Sequence, residues 1–238
     1  MLKILTWIGI AAWFVVILGF VSSESKQVLC NRIDVHLSDT LLHRFVTPSE
    51  IRKLLENGDV QLQGYPLDEI DTRNLETLLE KNAYIKNAEV NTDISGRLEV
   101  HVEQRVALLR IMPEGKRGFY LDTEGAILPL SEHYTPLILL VSGNVLNPGP
   151  EIRGFCTYLS EHPLWKKQIV QVYVNKNGEY ELIPRVGAHH ILMGSLNQWE
   201  IKLRNLELLY RQGLSKHGWN TYGIINLKYT NQVICTKR

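Results

Sequence analysis

Ile4 to Val21 reads ILTWIGIAAWFVVILGFV, a run without a single charge in which only Thr6, Gly9 and Gly19 fall outside the hydrophobic set. With Leu2 added and Lys3 snorkelling, about twenty residues at ~1.5 Å each span roughly 30 Å, the thickness of a bilayer's hydrocarbon core. Trp7, Trp13 and Phe20 suit interfacial or lipid-facing positions. A cleaved signal peptide is the competing reading. Its apolar core is shorter, about 7–15 residues, and ends at a small-x-small site. Ser22, Ser23 and Ser25 make a poor one, so the segment reads as an uncleaved anchor over residues 4–21. Lys3 and the free amine favour an amino terminus on the cytoplasmic side, residues 1–3, with the bulk of the chain outside. No second apolar stretch of that length follows, so the sequence predicts a single-pass protein.

Twenty-six basic residues balance twenty-five acidic ones, for a net charge of +1. That balance gives no electrostatic footprint for nucleic acid. The three cysteines, Cys30, Cys156 and Cys235, are too widely spaced for a disulfide framework or a zinc ribbon.

Residues 27–105 form the first folded unit. Val28–Leu37 alternates as a strand through Val28, Cys30, Ile33, Val35 and Leu37. Thr47-Pro48-Ser49-Glu50 is a helix start, with a capping Thr, Pro at the first helical position and Glu at the third. Ile51, Leu54 and Leu55 supply its apolar stripe, and Asn57-Gly58 ends it. A second helix spans Asp71 to Lys81 on Leu75, Leu78 and Leu79. Ala88–Ile94 and Leu98–Gln104 alternate as strands around a tight Ser95-Gly96 turn. The order is β-α-α-β-β.

That order resembles a POTRA domain. Ala83-Tyr84-Ile85-Lys86-Asn87-Ala88-Glu89-Val90 is similar to the family's P-x-V-x-x-A-x-V approach to its second strand, with the Pro replaced. Leu98 to Ala107 is similar to its L-x-I-x-V-x-E-R-x-P-V-A ending, again without the Pro. The resemblance implies a three-stranded sheet with two helices on one face. A free sheet edge in such a unit can accept another protein's strand.

Residues 106–238 form the second unit. Gly118–Leu130 is a strand, an Asp-Thr-Glu-Gly turn and a strand. Leu137–Val141 is a short buried strand between Pro136 and Ser142-Gly143-Asn144. Glu151–Glu161 is helical, with Ile152, Phe155, Cys156 and Leu159 on one face. Ile169–Asn175 and Glu179–Arg185 flank Asn177-Gly178, the strongest hairpin signal in the chain, and Pro184 marks an edge or a strand's end. His189–Met193 is a strand. Leu196–Gln212 is a helix on Trp199, Leu203, Leu206 and Tyr210, followed by Gly213. Tyr222–Tyr229 and Gln232–Thr236 close the chain as strands.

The chain as a whole resembles the bitopic cell-division family FtsQ/DivIB. Tyr120 to Leu128 is similar to that family's x-L-D-x-x-G-x-V-F, and Gly187 to Gly194 to its L-G-x-H-x-V-x-L-G. Ile225 to Ile234 is similar to the closing V-D-L-R-Y-x-N-x-V-A, with Asn226 in place of Asp and Lys228 in place of Arg. The Asn-Gln-Val-Ile-Cys-Thr-Lys ending looks most like versions from Bacteroidota. The fold class so reached is α+β: one transmembrane helix, a POTRA-like domain, then a mixed β-rich domain with two helices and a carboxyl-terminal edge strand.

The resemblance implies a non-enzymatic scaffold in the bacterial inner membrane, with a periplasmic ectodomain at the division septum. Its implied partners are divisome proteins, chiefly an FtsB/FtsL-like coiled-coil pair. The implied contact is strand addition to the last edge, which here would be Lys228, Tyr229, Thr230, Asn231, Gln232, Val233 and Ile234, with Lys228 and Tyr229 as anchor. On that reading Thr230→Pro removes partner binding and leaves the fold intact. A POTRA-type module of a translocation or envelope-assembly complex is the alternative. An envelope enzyme is a third reading, and it requires a pocket of convergent carboxylates or histidines.

The residues themselves offer no phosphate-cradling loop, nucleophile elbow, metal or cofactor site. His189 and His190 are adjacent on a strand and point to opposite faces. Asp122 and Glu124 read as turn residues, and Cys30 and Cys156 as buried thiols.

Overall fold

A computed structural model describes residues 28–38, 44–57, 62–145 and 148–238, together with Trp13, Val15 and Val16. The expected span at residues 4–21 lies outside the described residues except at those three positions. Among the described residues no helix is long and apolar enough to cross a membrane. The chain divides into two compact units between Arg105 and Val106.

In the first unit, strands β1 (Arg32–Leu37), β2 (Ile85–Asp93) and β3 (Arg97–Gln104) form a sheet in the order β1-β3-β2. β1 runs parallel to β3, and β2 antiparallel to it. Helices α1 (Pro48–Glu56) and α2 (Thr72–Glu80) lie between β1 and β2 in the chain. Local chemistry sets their ends. The Glu50 amide donates to the Thr47 hydroxyl, and the Thr47 amide donates to the Glu50 carboxylate, so two orphan donors are satisfied reciprocally. Asp71 caps α2 through the Asn74 amide. Ile51, Leu55 and Leu79 from the helices share one core with Ile85, Val90, Leu98, Val100 and Val102 from the strands. The predicted strand at Val28–Leu37 is shorter than expected. Residues before Arg32 pair instead with the loop ahead of α2, through a Leu29–Pro66 bridge and the Cys30 amide donating to the Tyr65 carbonyl.

A buried side chain ties the far ends of this unit. Gln104, the last residue of β3, accepts with its Oε1 from the amides of Phe45 (3.0 Å) and Val46 (3.1 Å). Both amides belong to buried residues. Gln104→Ala is expected to leave both donors unsatisfied and to destabilise the unit by at least about 2 kcal/mol, the lower end of ~1–3 kcal/mol for each orphaned group. Chemical unfolding followed by hydrogen exchange at Phe45 and Val46 checks this, with Gln104→Glu, which keeps an acceptor oxygen, as the milder companion.

In the second unit a mixed sheet runs β12-β11-β10-β9-β8-β7-β4-β5-β6. Its strands are β4 (Ala107–Pro113), β5 (Phe119–Asp122), β6 (Ile127–Pro129), β7 (Leu139–Gly143), β8 (Ile169–Val174), β9 (Tyr180–Pro184), β10 (His190–Gly194), β11 (Tyr222–Asn226) and β12 (Ile234–Lys237). The parallel neighbours are β4 and β7, β7 and β8, and β10 and β11. Helices α3 (Pro150–Glu161) and α5 (Trp199–Leu209) bury Ile152, Phe155, Cys156, Leu159, Leu203 and Leu206 in one core with Leu109, Ile111, Val141, Val172, Leu182, Ile191 and Ile225. Each such aliphatic or aromatic side chain contributes about 1.5–3 kcal/mol on leaving water. Short helices α4 (Trp165–Gln168) and α6 (Ser215–His217) add to the two that were expected.

Several boundaries move. No polarity pattern marks β4 in the sequence, because ALLRIMP alternates in burial but hardly in polarity. The strand expected at Leu137–Val141 starts at Leu139, and Leu137 is exposed. The helix expected from Leu196 starts at Trp199, after Gln198 in a left-handed conformation (φ 54°). Gly213 does not follow that helix. It lies inside a π turn over Tyr210–Leu214 that carries the helix on into α6. Pro184 ends β9, which is an interior strand between β8 and β10.

Candidate functional site

The large sheet has two outer strands, β6 and β12. β6 is three residues long and ends in Pro129, which has no amide to donate. β12 is antiparallel to β11, with Asn226 opposite Ile234, Ile225 opposite Cys235 and Tyr222 opposite Lys237. The Arg238 amide donates to the Thr221 carbonyl. Alternation along an antiparallel ladder then turns the Lys237 and Cys235 amides to the open side. Ile234 is 43% exposed, and Ile224 on β11 is exposed beside it. Apolar surface therefore flanks this edge.

The edge strand is not the one expected. β11 stops at Asn226, and of the seven residues proposed as the edge only Ile234 lies in β12. Lys228, Tyr229, Thr230, Asn231, Gln232 and Val233 form the connection between the two strands. Leu227 is buried and its amide still donates to the Leu192 carbonyl of β10 at 2.8 Å, so β11 stays on β10 to its end while its pairing with β12 stops at Asn226 and Ile234. Asn226 Oδ1 then accepts from the Lys228 amide, which turns the chain. Thr230→Pro thus falls in a turn and leaves the ladder of β12 untouched.

Two contacts hold that connection in place, and a third fixes the end of β10 beside it. Lys228 Nζ donates to both carboxylate oxygens of Glu179, at 2.7 and 2.8 Å. The ammonium and the Asn175 amide hold the Glu179 carboxyl below the usual carboxylate range. Asn205 of α5 donates from Nδ2 to the Thr230 carbonyl at 2.9 Å. The buried Lys202 of α5 donates from Nζ to the carbonyls of Met193 (3.0 Å) and Ser195 (2.7 Å), and so fixes the end of β10. Between those two carbonyls sits Gly194, against which the Lys228 stem lies. Glu179 and Lys228 are 49 positions apart and Asn205 and Thr230 are 25, so no local pattern announces either contact. Of the expected anchor pair, Lys228 is engaged by Glu179, while Tyr229 is 53% exposed.

A sequence model of the family described as "FtsQ/DivIB, C-terminal related" matches residues 107–236. The chain belongs to the FtsQ/DivIB family. A model described as a POTRA-like domain matches residues 28–103 of this FtsQ/DivIB chain. The chain is also 24% identical over 204 residues to the cell division protein FtsQ of Rhodothermus marinus, covering 80% of this chain and 73% of that one.

Other polar side chains of this FtsQ/DivIB chain make contacts within the second unit. His189 is buried and its Nε2 shares a hydrogen bond with the Tyr210 hydroxyl at 2.9 Å, whereas His190 is exposed. Burial pushes the His189 pKa down and the Tyr210 pKa up. Asp122 accepts from the amides of Glu124 and Ala126, which closes the β5–β6 turn. All three cysteines are free thiols, and burial pushes Cys156 up to about 12. Among the described residues no group of three or more His, Cys, Asp or Glu is placed to hold a metal ion. A groove of about 520 Å³ is lined by apolar residues such as Leu108, Leu137 and Leu159, with Glu161, Lys166 and Arg185 as its charged groups.

Proposed function

We propose that this chain is a membrane-anchored, non-enzymatic scaffold of the divisome that takes up a partner strand on the outer side of β12. The open edge of β12, in a chain of the FtsQ/DivIB family, is the observation that carries this reading. Outward amides and carbonyls of β12 supply affinity, and the side chains of Ile234, Ile224 and Tyr229 supply selectivity. The partner is a divisome protein, an FtsB/FtsL-like coiled-coil pair whose extended segment adds the strand. Residues 4–21 anchor the chain in the inner membrane once, with the two units on the periplasmic side. A translocation module accounts for residues 28–103 alone and gives no reason for the second family match.

Lys237→Pro tests the contact. It removes an amide on the open side, where proline is tolerated because no ladder bond to β11 is lost. Titration of the full chain in detergent with the purified coiled-coil pair is expected to show at least a tenfold weaker Kd, about 1.4 kcal/mol. The midpoint of unfolding stays near that of wild type. Lys237→Ala, which keeps the amide, binds as wild type does. Equal affinity for the two variants would discard the edge contact.

A further inference from the structure

The outer strand of the smaller sheet, β2, meets a different neighbour. Its register sets Ala88 opposite Val102 and Val90 opposite Val100 of β3. The Val90 amide donates to Glu76 Oε1 at 2.9 Å, and the Ala88 amide to Glu80 Oε1 at 3.4 Å. Both amides therefore point away from β3, to the side where a further strand would pair. Both carboxylates come from α2, one helical turn apart. The repeats match: four helical residues advance about 6.0 Å, and two strand residues about 6.7 Å. Successive outward amides of the edge thus each meet a carboxylate. A carboxylate is also a stronger acceptor than the carbonyl an incoming strand would bring.

We propose that Glu76 and Glu80 close the β2 edge against a second copy of this chain, whose β2 would otherwise pair there. Two β2 strands laid antiparallel about Val90 set Ala88 opposite Thr92, Glu89 opposite Asn91 and Asn87 opposite Asp93. No like charges meet in that register, so cross-strand repulsion does not oppose the pairing. The helix-side residues Ala88 and Val90 continue one buried face across both strands. What keeps the edge single is the pair of side chains from α2. This holds whether or not β12 accepts a partner strand.

The test uses the full chain in detergent with both glutamates changed. Glu76→Ala with Glu80→Ala removes the acceptors, while Glu76→Gln with Glu80→Gln keeps an amide oxygen at each place. Hydrogen exchange is read at the Ala88 and Val90 amides, and mass by sedimentation. The alanine pair is expected to exchange these amides at least tenfold faster than wild type and to gain a concentration-dependent dimer. The glutamine pair is expected to match wild type in both. If the alanine pair fails to fold, Glu76→Ala alone is read at Val90. Unchanged exchange in the alanine substitutions, no gain in mass, or an equal gain in the glutamine pair overturns the proposal.

Discussion

Gly143→Ala is expected to destabilise the second unit by roughly 3 kcal/mol or more, as strain at a special backbone conformation adds to overpacking. Gly143 ends β7 between β4, where it is opposite Pro113, and β8, where it is opposite Val174. Its φ of 93° lies where residues with a Cβ are strained. The added methyl would also fall well inside van der Waals contact distance of the Val174 carbonyl oxygen, and 2.7 Å from the Tyr173 ring. That oxygen is fixed by the Asn144 amide at 2.8 Å, and the Gly143 carbonyl by the amides of Glu114 and Val145, so neither side can give way cheaply. Trp165, Trp199 and Trp219 all belong to this unit, so their fluorescence reports its unfolding. With a slope of ~2 kcal/mol/M, the urea midpoint should fall by about 1.5 M. Gly154→Ala is the control. It lies inside α3 with open space around it, and it should stabilise by about 1 kcal/mol. A Gly143→Ala midpoint equal to wild type would refute the close approach.

Lys202→Ala is expected to cost the second unit roughly 2–4 kcal/mol. The side chain is almost fully buried, and its ammonium satisfies the Met193 and Ser195 carbonyls. Removing it leaves two acceptors without their charged donor, while the relief of a desolvated cation offsets part of the loss. Lys202→Met keeps the stem and should cost less than Ala. Loosening the end of β10 also frees the Lys228 turn, so the alanine variant should weaken partner capture as well as stability. The pH dependence has a definite sign. Burial lowers the Lys202 pKa below its ordinary 10.5. Between the folded value and 10.5 the unfolded chain binds more protons, so stability from this group rises with pH in that window. The stability gap between wild type and Lys202→Met should therefore shift in favour of wild type as pH climbs toward 10.5. A gap that moves the other way would mean that the folded protein raises the Lys202 pKa instead of lowering it.

What could be read in the sequence was what short stretches of chain decide for themselves. Thr47-Pro48-Ser49-Glu50 places a helix start because its side chains bond amides three residues away. Asn177-Gly178 and Ser95-Gly96 place turns because glycine tolerates positive φ there. The stripe Ile152, Phe155, Cys156, Leu159 is the buried face of α3. The carboxyl-terminal region was harder. Strand-forming residues continue from Tyr222 to Tyr229, yet the strand ends at Asn226, whose side chain turns the chain while Glu179 holds Lys228. Glu179 is 49 positions from Lys228, and no local rule reaches it. β4 escaped for a related reason, since alternate burial leaves no mark where both faces are apolar. The presence of a terminal outer strand was legible, and its register was not.

A strand with one open edge and apolar neighbours is also a nucleus for precipitation. β12 has the features that keep such a strand in solution. It has only four residues, and it ends on Lys237 with Arg238 next to it. Cations at a strand's end act as gatekeepers, raising the cost of stacking like chains. Ile234 sits at the opposite end from those charges, beside the Lys228 connection. The gatekeeping is thus graded along the strand, strongest at its last residue and weakest where the apolar side chain is exposed.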